Sequence, residues 1–146
     1  MSYWDTSTLV KLYTQEADSL LFETHAANAG NSVVISRIPL YEACATFRRK
    51  EAEGILNSGT AQTTYNELLQ DVAANDLGVI ELNAAVEHEY GQVLNLCYQQ
   101  APPVLLRTLD AVHLASARVS GETEIVATDK RLREAARLIG FTLFPA

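Results

Sequence analysis

Tyr3-Trp4-Asp5-Thr6-Ser7-Thr8-Leu9-Val10-Lys11-Leu12 decides how the rest of the chain is read. A short apolar strand runs into an acidic residue, hydroxyl side chains and an amphipathic helix. An Asp just past a strand and at the mouth of a helix holds its carboxylate outside the carboxyl end of a sheet, where open α/β folds carry their chemistry. The plainer alternative is an N-cap, since Asp, Ser and Thr accept the orphan amide bonds of a first turn. Acids recurring in similar settings later in the chain favour the first reading.

Working outward, strands and helices alternate. Lys11 to Tyr13 continue the first helix, and Glu16 to Asn28 carry Ala17, Leu20, Leu21 and Ala27 near helical spacing. After a loop with Gly30 and Asn31, Ser32 to Ser36 form an apolar, β-branched strand. Ser36 caps a helix running to about Glu53, with Pro39 in its first turn and Ile38, Tyr41, Cys44, Ala45 and Phe47 turned inward. Gly54 and Gly59 mark the break before a helix over Thr60 to Leu77, striped by Ala61, Tyr65, Leu68, Leu69, Val72 and Ala73 and ended by Gly78.

Val79 to Leu82 read as the third strand, and Asn83 caps a helix that stops before Pro102-Pro103. A helix over Arg107 to Ser120, a strand at Ile125 to Ala127, a helix over Asp129 to Ile139 and a strand at Phe141 to Phe144 complete the series. Five strands, nearly all separated by helices, predict an α/β fold with a parallel sheet, right-handed crossovers and helices on both faces.

Composition bounds the function. With 146 residues, 48% of them hydrophobic, the chain reads as one domain over residues 1–146 with a real core. No apolar run approaches the roughly 20 residues of a membrane span, and no signal peptide pattern opens the chain, so a cytoplasmic location is expected. Cys44 and Cys97 are too far apart for a CxxC pair and read as small core residues. A net charge of −7 argues against a nucleic-acid partner, but its distribution weakens the objection. Glu51 to Leu106 hold eight acids and no Lys or Arg, while the flanks carry all 11 basic residues against ten acids. Neutralising four acids in those flanks by bound metal would leave them basic.

Those four acids are Asp5 after the first strand, Glu42 early in the helix after the second, Asp110 in the first turn of its helix, and Asp129 at the end of the fourth strand. All can face one edge of a parallel sheet. Two carboxylates about 4 Å apart repel by roughly 4 kcal/mol at an effective dielectric of 20, so four together require a cation. Oxygen ligands without His or Cys at metal spacing favour Mg²⁺ or Mn²⁺.

The order and spacing of several motifs make the resemblance specific. Asp5 to Tyr13, Ser36 with Glu42 and Arg48-Arg49-Lys50, Leu106 to Ala115, and Ala127 to Leu132 with Ala135-Ala136 and Gly140 resemble the PIN domain over the whole chain. Within it, the toxin ribonucleases of VapBC-type toxin–antitoxin pairs are the most similar. The resemblance implies strand order 3-2-1-4-5, with Asp5 and Asp129 at the topological switch point.

It further implies a Mg²⁺-dependent endoribonuclease in which Asp5 and Asp110 lead as metal ligands. Glu42 and Asp129 would complete the pocket directly or through water, and one of the two acts as general base. Ser7 and Thr6 would support the carboxylates, although helix capping explains Ser7 equally well. A cognate antitoxin, a homodimer, an RNA substrate, and contact with DNA only through the antitoxin are implied as well. Two alternatives stay open: a non-toxic RNA-processing nuclease, and a metal-stabilised interaction module that cleaves nothing.

Other residues carry a plain and a functional reading side by side. Lys11, Arg49, Arg107 and Lys130, with Arg48, Lys50, Arg131 and Arg133, are candidate phosphate contacts or simply solvated helix faces. His113, one turn beyond Asp110, reads as a packed or outer histidine before a base or ligand. Thr128 departs from the family pattern, which often places the last hydroxyl two residues before the final Asp; Ala127 stands there. Gly54 and Gly59 have phosphate-loop spacing, but Thr60 stands where the lysine is needed. No GxGxxG or GxSxG occurs, and Ser7 replaces the second Asp of a dehalogenase-type phosphatase.

Overall fold

In a computed structural model, which describes residues 1–28 and 32–146, β1 (Ser2–Trp4) is the middle strand of a five-stranded sheet. Beside it lie β2 (Val33–Ser36) and β4 (Glu124–Val126), with β3 (Leu77–Ile80) and β5 (Thr142–Phe144) outermost, giving the order 3-2-1-4-5. Every pairing is parallel, and Tyr3 sits between Val34 and Ile125 in register. Side-chain alternation sends successive residues to opposite faces. Trp4, Ile35 and Val126 join one core, while Tyr3, Val34 and Ile125 join the other.

The first core is covered by α1 (Thr6–Val10), α2 (Ser19–Ala27), α3 (Arg37–Ala52) and α4 (Thr60–Ala73), through Leu9, Phe22, Phe47 and Leu68. The second is covered by α5 (Ala84–Tyr98), α6 (Thr108–Ser120) and α7 (Lys130–Leu138), through Val93, Leu114 and Leu132. Ala111, Ala115, Ala117, Ala135 and Ala136 are fully buried, so small side chains bring α6 and α7 close to the sheet. Asn83 caps α5 by accepting the Val86 amide.

Several boundaries differ from the sequence reading. The first helix stops at Val10, because the amides of Leu12 and Tyr13 bond three residues back instead of four. Helix α2 starts at Ser19, and the large Phe22 turns inward, so Ala17, Leu20, Leu21 and Ala27, read as its apolar face, are exposed. In α3 the buried line is Pro39, Leu40, Ala43 and Phe47; Tyr41 and Ala45 are exposed and Cys44 is half-buried, a phase set by Phe47 packing under the sheet. Leu69, read as part of the α4 stripe, is also exposed.

Helix α4 ends at Ala73, with Asn75 in the left-handed region at φ 62°. The turn therefore comes earlier than expected, and Gly78 lies inside β3, where a Cβ would meet Val34 at 3.5 Å. Ser36 occupies the N-cap of α3, yet its hydroxyl makes no capping bond. Gly30 and Asn31, read as a loop, lie outside the described residues. None of the described helices is long and apolar enough to cross a membrane.

Candidate active site

At the carboxyl edge of β1 the Asp5 amide donates to the Val126 carbonyl at 3.2 Å, tying the end of β1 to β4 at the point where the chain reverses its direction across the sheet. Asp5 is the N-cap of α1. Its Oδ1 accepts from the Thr8 amide at 2.9 Å, the Thr8 hydroxyl at 2.8 Å and the Ser7 hydroxyl at 3.0 Å. All three bonds fall on one oxygen, and Oδ2 makes none among the described residues. Capping and pocket duty are thus divided between the two oxygens of one carboxylate.

The same division recurs. Asp129 caps α7 through Oδ1, which accepts the Leu132 amide at 2.9 Å, while Oδ2 faces the pocket. Asp110, in the first turn of α6, accepts the Arg107 amide on Oδ2 at 3.2 Å and is only 4% exposed. Glu42 comes from the second turn of α3; its Oε1 accepts the Thr6 hydroxyl at 2.6 Å. Helix N-termini at Asp5, Asp110 and Asp129 direct their positive ends at this edge, which eases the crowding of negative charge.

Asp5, Glu42, Asp110 and Asp129 line one cavity of about 430 Å³, together with Thr6, Ser7, Arg107 and His113. Arg107 bridges two of the acids: Nε is 2.9 Å from Asp110 Oδ2, and Nη2 is 3.1 Å from Asp110 Oδ1 and 3.2 Å from Asp129 Oδ2. The Asp110 hydrogen bond, then the charges of Asp110 and Asp129, hold the guanidinium proton more firmly than usual. That side chain is 58% exposed, so it rests on the mouth of the cavity.

Among the described residues, no three His, Cys, Asp or Glu side chains stand close enough together to hold a metal ion as they are placed. The donor set is nevertheless all oxygen, with Asp5 Oδ2 uncommitted, which suits a hard divalent cation. In this arrangement the guanidinium supplies the positive charge that the carboxylates require.

His113 enters from α6, one turn beyond Asp110, and is 6% exposed. Its Nδ1 lies 2.8 Å from the Tyr3 hydroxyl and its Nε2 lies 4.0 Å from Glu42 Oε1. Burial pushes the imidazole pKa down against the pull of Asp5, Glu42 and Asp110. Burial likewise pushes the Tyr3 phenol up, opposed by the neighbouring Ser36 and Ser116.

The basic candidates separate. Lys130 and Arg131 line an adjoining cleft of about 480 Å³ that shares Arg107 and Asp129 with the acidic cavity. Lys11 does not reach either cavity; its ammonium pairs with Asp18 at 2.7 Å and Glu16 at 3.5 Å. Arg49 is exposed on the last turn of α3 and lines neither cavity, and Arg48 donates to Gln62. Arg133 braces the carbonyls of Ala127 and Pro145. Thr128 is exposed and lines neither cavity. Sequence reasoning missed Thr8 and Tyr3. Thr8 stands at the third helical position, where a capping Asp aims, and Tyr3 lies on the strand face opposite Trp4, so both had a positional signal.

The family model of the PIN domain matches residues 2–138. No curated protein sequence matches the chain significantly. Among solved structures, VapBC2 from Rickettsia felis, bound to a DNA fragment of its promoter, aligns at 19% identity and TM-score 0.64, covering 98% of this chain and 97% of that one. VapC20 of Mycobacterium tuberculosis, a toxin that cleaves the sarcin-ricin loop, aligns at 17% identity and TM-score 0.64 over 92% of this chain and 95% of that one. FitAcB from Neisseria gonorrhoeae aligns at 14% identity and TM-score 0.63 over 99% and 96%. These likenesses describe the fold; the match over residues 2–138 goes further, and on it the chain belongs to the PIN domain family.

Proposed function

We propose that this chain is a divalent-metal-dependent endoribonuclease that acts as the toxin of a toxin–antitoxin pair. The observation that carries the reading is the convergence of Asp5, Glu42, Asp110 and Asp129, from four separate segments, on one cavity at the switch point of the sheet. Asp5 and Asp110 would hold the ion, Mg²⁺ or in its place Mn²⁺, with Glu42 and Asp129 completing the set directly or through water. When bound, the ion supplies water activation and offsets charge on the leaving oxygen.

The chain's own residues do the rest. Ser7 and Thr8 fix Asp5, and Thr6 fixes Glu42. Glu42 or Asp129, the more exposed of the four, takes the proton from the attacking water. Arg107 leaves Asp110 and Asp129 to meet a phosphate, and Lys130 and Arg131 offer contacts to phosphates beside it.

A partner is supported by the solved relatives, which include toxin–antitoxin complexes, and by the exposed Leu20 and Leu21 on α2. Further along the same helix, Ala26 and Ala27 line a groove with Leu12, Tyr13 and the acids Glu23, Asp71 and Asp76, where an antitoxin segment with apolar and basic side chains would fit. VapBC2 is bound to promoter DNA as a complex, and on the family likeness we infer that any DNA contact of this chain runs through its antitoxin. We infer a homodimer on the family likeness, and a cytoplasmic location remains the expectation from the sequence.

Incubating the purified protein with structured RNAs, with and without Mg²⁺, tests the reading. Cleavage that needs Mg²⁺ and disappears in Asp5→Ala and Asp110→Ala supports it; cleavage unchanged in both variants rejects it. Growth arrest on expression, relieved by a co-expressed antitoxin, separates a toxin from an RNA-processing nuclease. The place of Arg107 in the cavity favours a second reading, an interaction module without catalysis. It predicts a thermal shift with Mg²⁺ and a partner complex, but no cut RNA.

A further inference from the structure

We propose that Tyr3 and His113 are positioning residues for Glu42: the Tyr3 hydroxyl donates to His113 Nδ1, which fixes the imidazole as its Nε2–H tautomer and turns that N–H toward the Glu42 carboxylate. Its catalytic consequence rests on the nuclease reading; the tautomer does not.

Tyr3 is fully buried, and a buried phenol needs a hydrogen-bond partner. The hydroxyls of Ser36 and Ser116 are buried beside it and have no partner in standard geometry. Neither serine hydroxyl makes a hydrogen bond among the described residues, so His113 is the partner the phenol has. The Tyr3 oxygen lies 2.8 Å from His113 Nδ1, and with the ring proton on Nε2, as argued below, the phenol donates and Nδ1 accepts.

At the other end of the ring, His113 Nε2 faces Glu42 Oε1 at 4.0 Å, with Asp5 and Asp110 the other charged groups nearby. A lone pair there would face carboxylates, whereas an N–H is attracted to them. The gap is one that a water or a small turn of the part-exposed Glu42 closes. Thr6 already donates to the same Oε1, so both restraints fall on one oxygen and leave Oε2 to the cavity. The pattern matches Asp5, whose donors also gather on a single oxygen.

The test is the ¹⁵N spectrum of the histidine rings in the full-length protein at neutral pH, with His113 assigned by its loss in His113→Gln. A neutral ring protonated at Nε2, with Nδ1 shifted as an acceptor, is expected. A ring protonated at Nδ1, or an imidazolium, would overturn the proposal. The wild-type spectrum carries the result and needs no substrate.

In RNA cleavage, Tyr3→Phe should lower kcat by about tenfold with little change in KM, the usual scale for a group that orients a ligand from behind. His113→Gln, whose amide offers an N–H toward Glu42, should retain more activity than His113→Leu; equal activity in wild type and His113→Leu would also overturn the proposal. A wild-type protein that cuts no RNA yet shows the Nε2–H ring would sink the nuclease reading alone.

Discussion

Arg107 Nη2 stands 3.2 Å from Asp129 Oδ2, so the residue that precedes α6 is tied to the first residue before α7. The same side chain forks onto Asp110, which makes it the internal counter-ion of the cavity. Removing it leaves the carboxylates facing one another. Arg107→Gln is expected to melt below wild type in EDTA and to gain more from added Mg²⁺, since the cation no longer displaces a guanidinium. Thermal denaturation with and without Mg²⁺ checks this, and an equal Mg²⁺ shift in both proteins contradicts it.

Asp5 serves helix α1 with one oxygen and the cavity with the other, so two substitutions should separate the duties. Asp5→Asn keeps a good cap, whereas Asp5→Ala loses it at a cost of about 1–2 kcal/mol. Both should abolish cleavage. Urea unfolding of the pair is the measurement, and equal stability of the two variants would refute the division.

Glu122, buried in the turn between α6 and β4, has its carboxyl pushed up by burial, with the N-terminal ammonium opposing. Its folded state therefore binds a proton more readily than the unfolded chain does. Stability falls as pH rises from the unfolded to the folded pKa, and the penalty is complete above that window. Glu122→Gln should accordingly raise Tm at neutral pH, with the gain vanishing below the ordinary glutamate range, and leave cleavage unchanged. Melting curves across that range decide the matter.

Ala111 follows Asp110 directly and is fully buried against the sheet. Ala111→Leu forces α6 outward and should destabilise by about 1–3 kcal/mol. Because Asp110 and His113 ride on the same helix, activity should fall even under conditions where the variant remains folded. Cleavage at native activity would show that the helix is not held so tightly.

What the sequence made legible was local. Asp5, Asp110 and Asp129 announce helix starts by residue type and position, and the β-branched runs announce strands, so the order of elements could be read in one dimension. The sheet order followed from the family likeness and is the one observed.

Phase was harder to read. Leu20 and Leu21 look like a buried stripe until Phe22 is seen to take the inward position, and Gly78 looks like a helix stop until Asn75 is seen to make the turn. Contacts across long separations were not visible at all. Nothing near Tyr3 in the chain points to His113, and Arg107 read as a phosphate contact because its two carboxylate partners lie on different helices.

The three aspartates anchor helix starts and also face one cavity, so the amides they hold act as built-in reporters. Hydrogen exchange at Thr8, Arg107 and Leu132 should slow together when a cation settles among them and quicken together when it is stripped away. Occupancy of the pocket can thus be followed in the backbone of helices that are otherwise remote from one another in the chain.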